Sequence, residues 1–229
     1  MYCTSEQKKR LSDSELISLE QKGMLKFPQP YIDFMKTYGS GTYGGAICIN
    51  FPDFNILKDF AEYDFWEYKD APITKEQLCE CVVIGNSIDG DYIAIHAKVK
   101  GYILLPRDSD MIELFPYENE NFIGTINKIG KFLYDEEDLE NYFEPVGNNH
   151  EFFRTADRNI HDLAGQFKTI FQGDYLIENE YICEVFLSGM GGYVRFNLSS
   201  GVEAAVFYSD YGMAYFKKVK KFLMENGCR

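Results

Sequence analysis

The stretch Phe27–Gly41, FPQPYIDFMKTYGSG, read with Cys81–Lys98, CVVIGNSIDGDYIAIHAK, decides the fold class. In the first, Tyr31, Phe34, Met35 and Tyr38 recur at i, i+3, i+4 and i+7. That spacing lines four large apolar side chains along one stripe of a helix. Pro30 suits the first helical turn, where a missing N–H costs nothing, and Gly39 or Gly41 can take the left-handed stop. In the second, Val82 to Gly85 is apolar and Asp89-Gly90 is a hairpin signal. Tyr92, Ala94 and His96 then alternate with Ile93 and Ile95. The two stretches predict a helix whose stripe packs on strands over 81–85 and 91–97.

Working outward, Ser12-Asp13-Ser14-Glu15 has the form of a capping box for a helix reaching about Gln21 and ended by Gly23. Ser40 to Gly45 reads as a glycine-rich loop and Ala46 to Phe51 as a strand. Residues 53–69 set Phe54, Leu57, Phe60, Phe65 and Trp66 among acids, as a helix or an irregular covering segment. Thr74 caps a short helical turn. Strands follow over 81–85, 91–97, 102–106 and 111–115, then a helix over 122–133 and a second, acidic one over 135–143. Gly147-Asn148-Asn149 marks a boundary, giving domains 1–146 and 147–229. The second contains a helix near 157–171, strands over 181–187, 193–198 and 202–208, and a helix over 213–225. It is either a small helix–three-strand–helix unit or an extension of the first sheet. The fold class is α+β, a mixed or antiparallel sheet with helices mainly on one face.

The chain's 229 residues can bury a core without disulfides or metal. Seventeen Tyr and 19 Phe against one Trp point to an aromatic-rich core, and Tyr also suits interfaces. The net charge of −13 sits almost wholly before residue 147, where 26 acidic residues face 14 basic ones, against 10 and 9 afterwards. Binding phosphate backbones needs a basic footprint, so no direct nucleic-acid partner is expected. An acidic surface keeps a chain soluble and steers basic proteins toward it.

Catalytic machinery is hard to find. Cys3, Cys48, Cys79, Cys81, Cys183 and Cys228 have no framework spacing, and Cys79-x-Cys81 is neither a redox pair nor half of a zinc ribbon. Cys48, Cys81 and Cys183 read as small buried hydrophobes. His96, His150 and His161 lack metal-ligand spacing, so no metal and no cofactor are expected. Gly189-Met190-Gly191-Gly192 has no Lys-Ser/Thr ending and reads as a hairpin turn. Lys217, Lys218, Lys220 and Lys221 complement the end of the last helix. Asp89 and Asp91 flank Gly90. Turn chemistry accounts for them, with paired-carboxylate catalysis or calcium binding as the enzymatic alternative. The N-terminus has no apolar signal core and no stretch suits a membrane span, which predicts a cytoplasmic chain without a membrane partner.

One motif order runs over roughly residues 9–145. The Leu- and Glu-rich segment LSDSELISLE comes first, then Phe27-Pro28, Tyr31-Ile32-Asp33-Phe34, and the glycines Gly39 and Gly41. Ile84-Gly85 and Gly90-Asp91 follow. This order resembles the SUKH superfamily (Smi/Knr-like) of small α+β proteins, with Phe27 where the family usually has Leu. That superfamily includes bacterial immunity proteins and a fungal regulator of cell-wall glucan synthesis. The resemblance implies that Pro28, Tyr31, Phe34, Gly39, Gly41, Gly85 and Gly90 shape the scaffold. It also implies binding without catalysis: an immunity protein that neutralises a basic toxin domain, possible nucleases included. A regulatory scaffold of cell-wall synthesis or signalling is the alternative. Recognition belongs on loops and on the covering segment, so the expected partner-facing residues are Asp59, Glu62, Tyr63, Asp64, Asp89, Asp91, Asp108 and Asp110.

Overall fold

The computed structural model describes residues 1–60, 62–117, 121–135, 139–155 and 158–229. The chain divides into two compact units, Lys8–Phe143 and Met1–Gln7 with Glu144–Arg229. Strand β1 (Tyr2–Cys3) belongs to the second.

In the first unit, helix α1 (Asp13–Gly23) starts on the expected capping box. Ser12 Oγ accepts the Glu15 N–H, and the Glu15 carboxylate accepts the Ser12 N–H at 2.8 Å. Gly23 is not the left-handed stop. It is the last helical residue, and exposed Met24 takes the left-handed position at φ 49°. A Cβ on Gly23 would lie 2.5 Å from the Phe54 ring, so packing is what the glycine serves. Helix α2 (Gln29–Thr37) carries the apolar stripe. Tyr31, Phe34 and Met35 are buried and Tyr38 is half-buried. The Phe34 ring lies tilted 5.2 Å from Phe122 and edge-on 5.3 Å from Phe143, so the ring contacts run to a later helix and strand, beyond strands 81–85 and 91–97. Gly39 is the left-handed stop, at φ 77°.

Gly41 instead opens strand β2 (Gly41–Tyr43), so the expected loop holds a short strand paired with β3 (Ile47–Asp53). Strands β4 (Val82–Ser87), β5 (Tyr92–Ile95), β6 (Gly101–Leu105) and β7 (Glu113–Pro116) continue as an antiparallel meander. With β8 (Tyr142–Pro145), whose first two residues lie in this unit, the sheet order is β8-β2-β3-β4-β5-β6-β7. Gly85 sits at a bulge where a Cβ would come within 2.7 Å of the Cys48 carbonyl oxygen, so only glycine lets β3 and β4 approach.

One sheet face lies under helix α4 (Phe122–Tyr134), through Phe122 at 5.5 Å from Tyr102. The other face has the covering segment. Leu57, Trp66, Ile73 and Leu78 pack on Val83, Ala94, Ile103 and Leu105. That cover is mostly irregular, with one 3-10 turn at Ile56–Lys58 and the four-residue helix α3 (Lys75–Leu78) capped by Thr74. The acidic helix expected over 135–143 is corrected where it is described. Asp135 ends α4 in the left-handed conformation, and Tyr142 and Phe143 are buried strand residues; 136–138 lie outside the described residues.

The C-terminal unit contains β9 (Asn149–Arg154), α5 (Ile160–Phe171), β10 (Tyr175–Glu178), β11 (Ile182–Leu187), β12 (Gly192–Asn197), β13 (Glu203–Tyr208) and α6 (Met213–Glu225). Residues 156–157, at the start of the helix expected near 157–171, lie outside the described residues. The three expected strands are joined by two edge strands, in the order β10-β11-β12-β13-β9. α5 and α6 share one core with Val185, Val194, Phe196 and Val206. On the opposite face Tyr175, Phe186, Tyr193 and Phe207 form a cross-strand row with centroids 5.4, 4.9 and 4.5 Å apart. Such pairs stabilise a sheet as i,i+4 pairs stabilise a helix, and here they absorb much of the aromatic content.

Candidate functional site

Register decides which loops meet. β5 opens at Tyr92, which pairs with Leu105 at the end of β6. The turn before β5 and the loop after β6 therefore emerge at one end of the sheet. In the turn, the Ser87 N–H donates to the Asp91 carbonyl at 2.9 Å. Ser87 Oγ accepts the N–H groups of Gly90 (3.1 Å) and Asp91 (3.0 Å) and bonds Asp91 Oδ2. Gly90 takes φ 104°, as this turn requires. Asp91 Oδ1 accepts the Arg107 N–H at 2.9 Å, which ties turn to loop.

Asp91 is only 7% exposed. It braces the site from inside and does not face a partner, which corrects that expectation; its two oxygens are spent on local donors. Asp89, Asp108 and Asp110 are exposed, and the Arg107 guanidinium donates to the Asp89 carbonyl at 2.8 Å.

The covering segment is fastened to the same end. Trp66 Nε1 donates to the Pro106 carbonyl at 2.8 Å, the Glu67 N–H donates to the Asp110 carbonyl at 2.8 Å, and Phe60 lies 5.7 Å from the Tyr92 ring. On this segment Asp59, Glu62, Tyr63 and Asp64 are all exposed. Asp64 pairs with Lys75 at 2.5 Å, a surface pair of small energetic weight. Seven of the eight expected residues thus stand in solvent on three segments held together at one end of the sheet. The sequence reading did not include the apolar members. Phe65, Ile88 and Met111 are exposed on these same segments, and Phe132 near the end of α4. Their signal was apolar residues within loop-like, acidic stretches. Exposed apolar area rimmed by polar groups is the anatomy of a protein interface.

The scaffold residues other than Gly90, which forms the Asp89–Asp91 turn, sit apart from this surface. Pro28 occupies the cap position of α2, Tyr31 and Phe34 are core, and Gly39, Gly41, Gly85 and Gly90 serve the backbone as described. Several buried polar groups elsewhere have local partners. His96 Nε2 faces Glu80 at 3.0 Å while its Nδ1 accepts the Lys98 N–H, so Nε2 carries the hydrogen. In the C-terminal unit Glu184, 2% exposed, accepts from Arg195 at 2.5 Å. Glu144 accepts from Tyr193 at 3.0 Å, and burial holds its carboxyl above the usual carboxylate range. Burial pushes the Cys81 thiol up to about 12, leaving it a packing residue rather than a nucleophile. Among the described residues no group of three or more His, Cys, Asp or Glu could hold a metal ion, and no helix is long and apolar enough to cross a membrane.

No curated protein and no solved structure matches the chain. A family model does match, over residues 10–120, a span that contains α1, α2, the meander β2 to β7 and all three segments of the acidic end. That family includes immunity proteins and cell-wall regulators. Residues 10–120 match the SMI1 / KNR4 family (SUKH-1), the superfamily whose motif order the chain resembles.

Proposed function

We propose that this chain is a non-catalytic, cytoplasmic immunity protein that binds and occludes a basic toxin domain through the acidic end of its first sheet. The observation that carries the reading is the gathering of Asp59, Glu62, Asp64, Asp89, Asp108 and Asp110 around exposed Tyr63, Phe65, Ile88 and Met111. A basic cleft, such as a nuclease presents to phosphates, is complementary to that surface. Catalysis by Asp89 and Asp91 as a pair has no geometric support, because both Asp91 oxygens are engaged by Ser87 and Arg107.

Co-expression with a toxin domain encoded beside the chain's gene tests the reading. Cells are expected to survive only when the intact chain is present, and death at equal expression would refute it. The second reading, a regulatory scaffold, is favoured by the C-terminal unit, which lies outside the matched residues and offers a further surface. It predicts several partners in a pull-down from cells that lack any such toxin gene.

A further inference from the structure

Beside the acidic loops, the end of α4 closes a groove. Asp89, Asp91 and Asp108 line one side; Phe132, Leu133 and Tyr134 line the other. Among the described residues none of these three carboxylates has an ion-pair partner. The nearby cation, Arg107, is turned to a backbone carbonyl. The oxygen of Tyr134 is shut off from solvent, and although Ser87 and Asp89 lie beside it, neither completes a hydrogen bond. Burial first, and then the charge of Asp89, push this phenol up to about 12, so it stays a neutral donor and acceptor. Phe132 is 53% exposed, with its ring in T-shaped contact with Phe115 at 5.9 Å.

We infer that this groove is the anchor point for one arginine side chain of the protein partner, an inference that rests on the binding function proposed above. An arginine has the matching anatomy. Its apolar stem suits the Phe132–Leu133 wall, its planar head stacks on an aromatic ring, and its donor fork serves the exposed Asp89 and Asp108 carboxylates. Unpaired negative charge on one side and apolar surface on the other fit such a side chain better than a bare ion, which needs oxygens all round.

The test uses the full chain and a small probe, Nα-acetyl-arginine methylamide, followed by NMR on the aromatic signals of Tyr134 and Phe132. Saturable shifts with a dissociation constant on the order of millimolar are expected. Binding should weaken at least about tenfold with the neutral citrulline analogue and in Asp89→Asn/Asp108→Asn. Both aspartates are exposed, so that variant should fold. Asp162→Asn/Glu180→Gln, at two exposed carboxylates of the C-terminal unit, should bind the probe as the native chain does. No saturable shift, an equal response to citrulline, undiminished binding in Asp89→Asn/Asp108→Asn, or a response to calcium instead would each overturn the assignment. The probe requires no toxin, so failure here is distinct from failure of the toxin-binding function. A chain that binds the probe but no toxin would refute only the latter.

Discussion

Gly39→Ala is expected to destabilise the first unit by about 2–4 kcal/mol, read as a lower urea midpoint at unchanged slope. Two costs combine. Gly39 sits at φ 77°, where an L side chain costs about 1–2 kcal/mol. An added Cβ would also lie 2.0 Å from the Lys9 carbonyl oxygen. That oxygen cannot withdraw freely, because it accepts the Ser40 N–H at 3.1 Å, and Leu11 is tied to the Met35 carbonyl. Gly201→Ala isolates the first cost in the other unit. Gly201 has φ 71° with nothing within 4 Å of its Cβ position, so about 1 kcal/mol is expected. Equal losses at the two positions would show that the close approach of residues 9 and 39 does not hold.

Trp66→Ala is expected to cost about 3–5 kcal/mol, the range for deleting a large buried aromatic. Trp66 is 7% exposed, packs within 6.0 Å of the Phe60 and Phe65 rings, and donates to Pro106. It is the pin that holds the covering segment against the loop after β6. Residues 57–60 and 62–67 should therefore also lose hydrogen-exchange protection. Trp66→Phe keeps most of the apolar area and leaves one carbonyl unpaired, for about 1–3 kcal/mol. The chain's one tryptophan is lost in both variants, so circular dichroism is the probe of unfolding. A loss below about 1 kcal/mol in Trp66→Ala would mean the cover is held elsewhere.

What the sequence revealed follows from how local each feature is. The stripe of Tyr31, Phe34 and Met35, the capping boxes at Ser12 and Thr74 and the Asp89-Gly90 turn all depend on residues within one or two turns of chain. They were legible for that reason. Strand β2 was hidden by the glycines around it. The edge strands β9 and β10 have mostly exposed residues and no clean alternation. Met24 shows the limit of reading stops from glycine, since Gly23 was kept for its packing against Phe54.

At the site, Asp89 and Asp91 look alike in sequence. Only the pairing of Tyr92 with Leu105, which brings Arg107 alongside, buries one and leaves the other in solvent. The same pairing gathers segments that lie some fifty residues apart in the chain, a long-range fact that no local pattern encodes. Phe65, Ile88 and Met111 look like core residues until the fold shows them unburied.

The central claim is that the acidic end of the first sheet meets a basic protein. Its most direct test is the association rate, at low ionic strength, between the chain and a basic toxin domain of the kind proposed as its partner. Asp59→Lys/Glu62→Lys/Asp64→Lys changes three exposed carboxylates and no buried contact. The rate should fall about 10–100-fold relative to the native chain, and its dependence on salt should flatten. An unchanged association rate at low salt would contradict the claim and move the interface away from this surface.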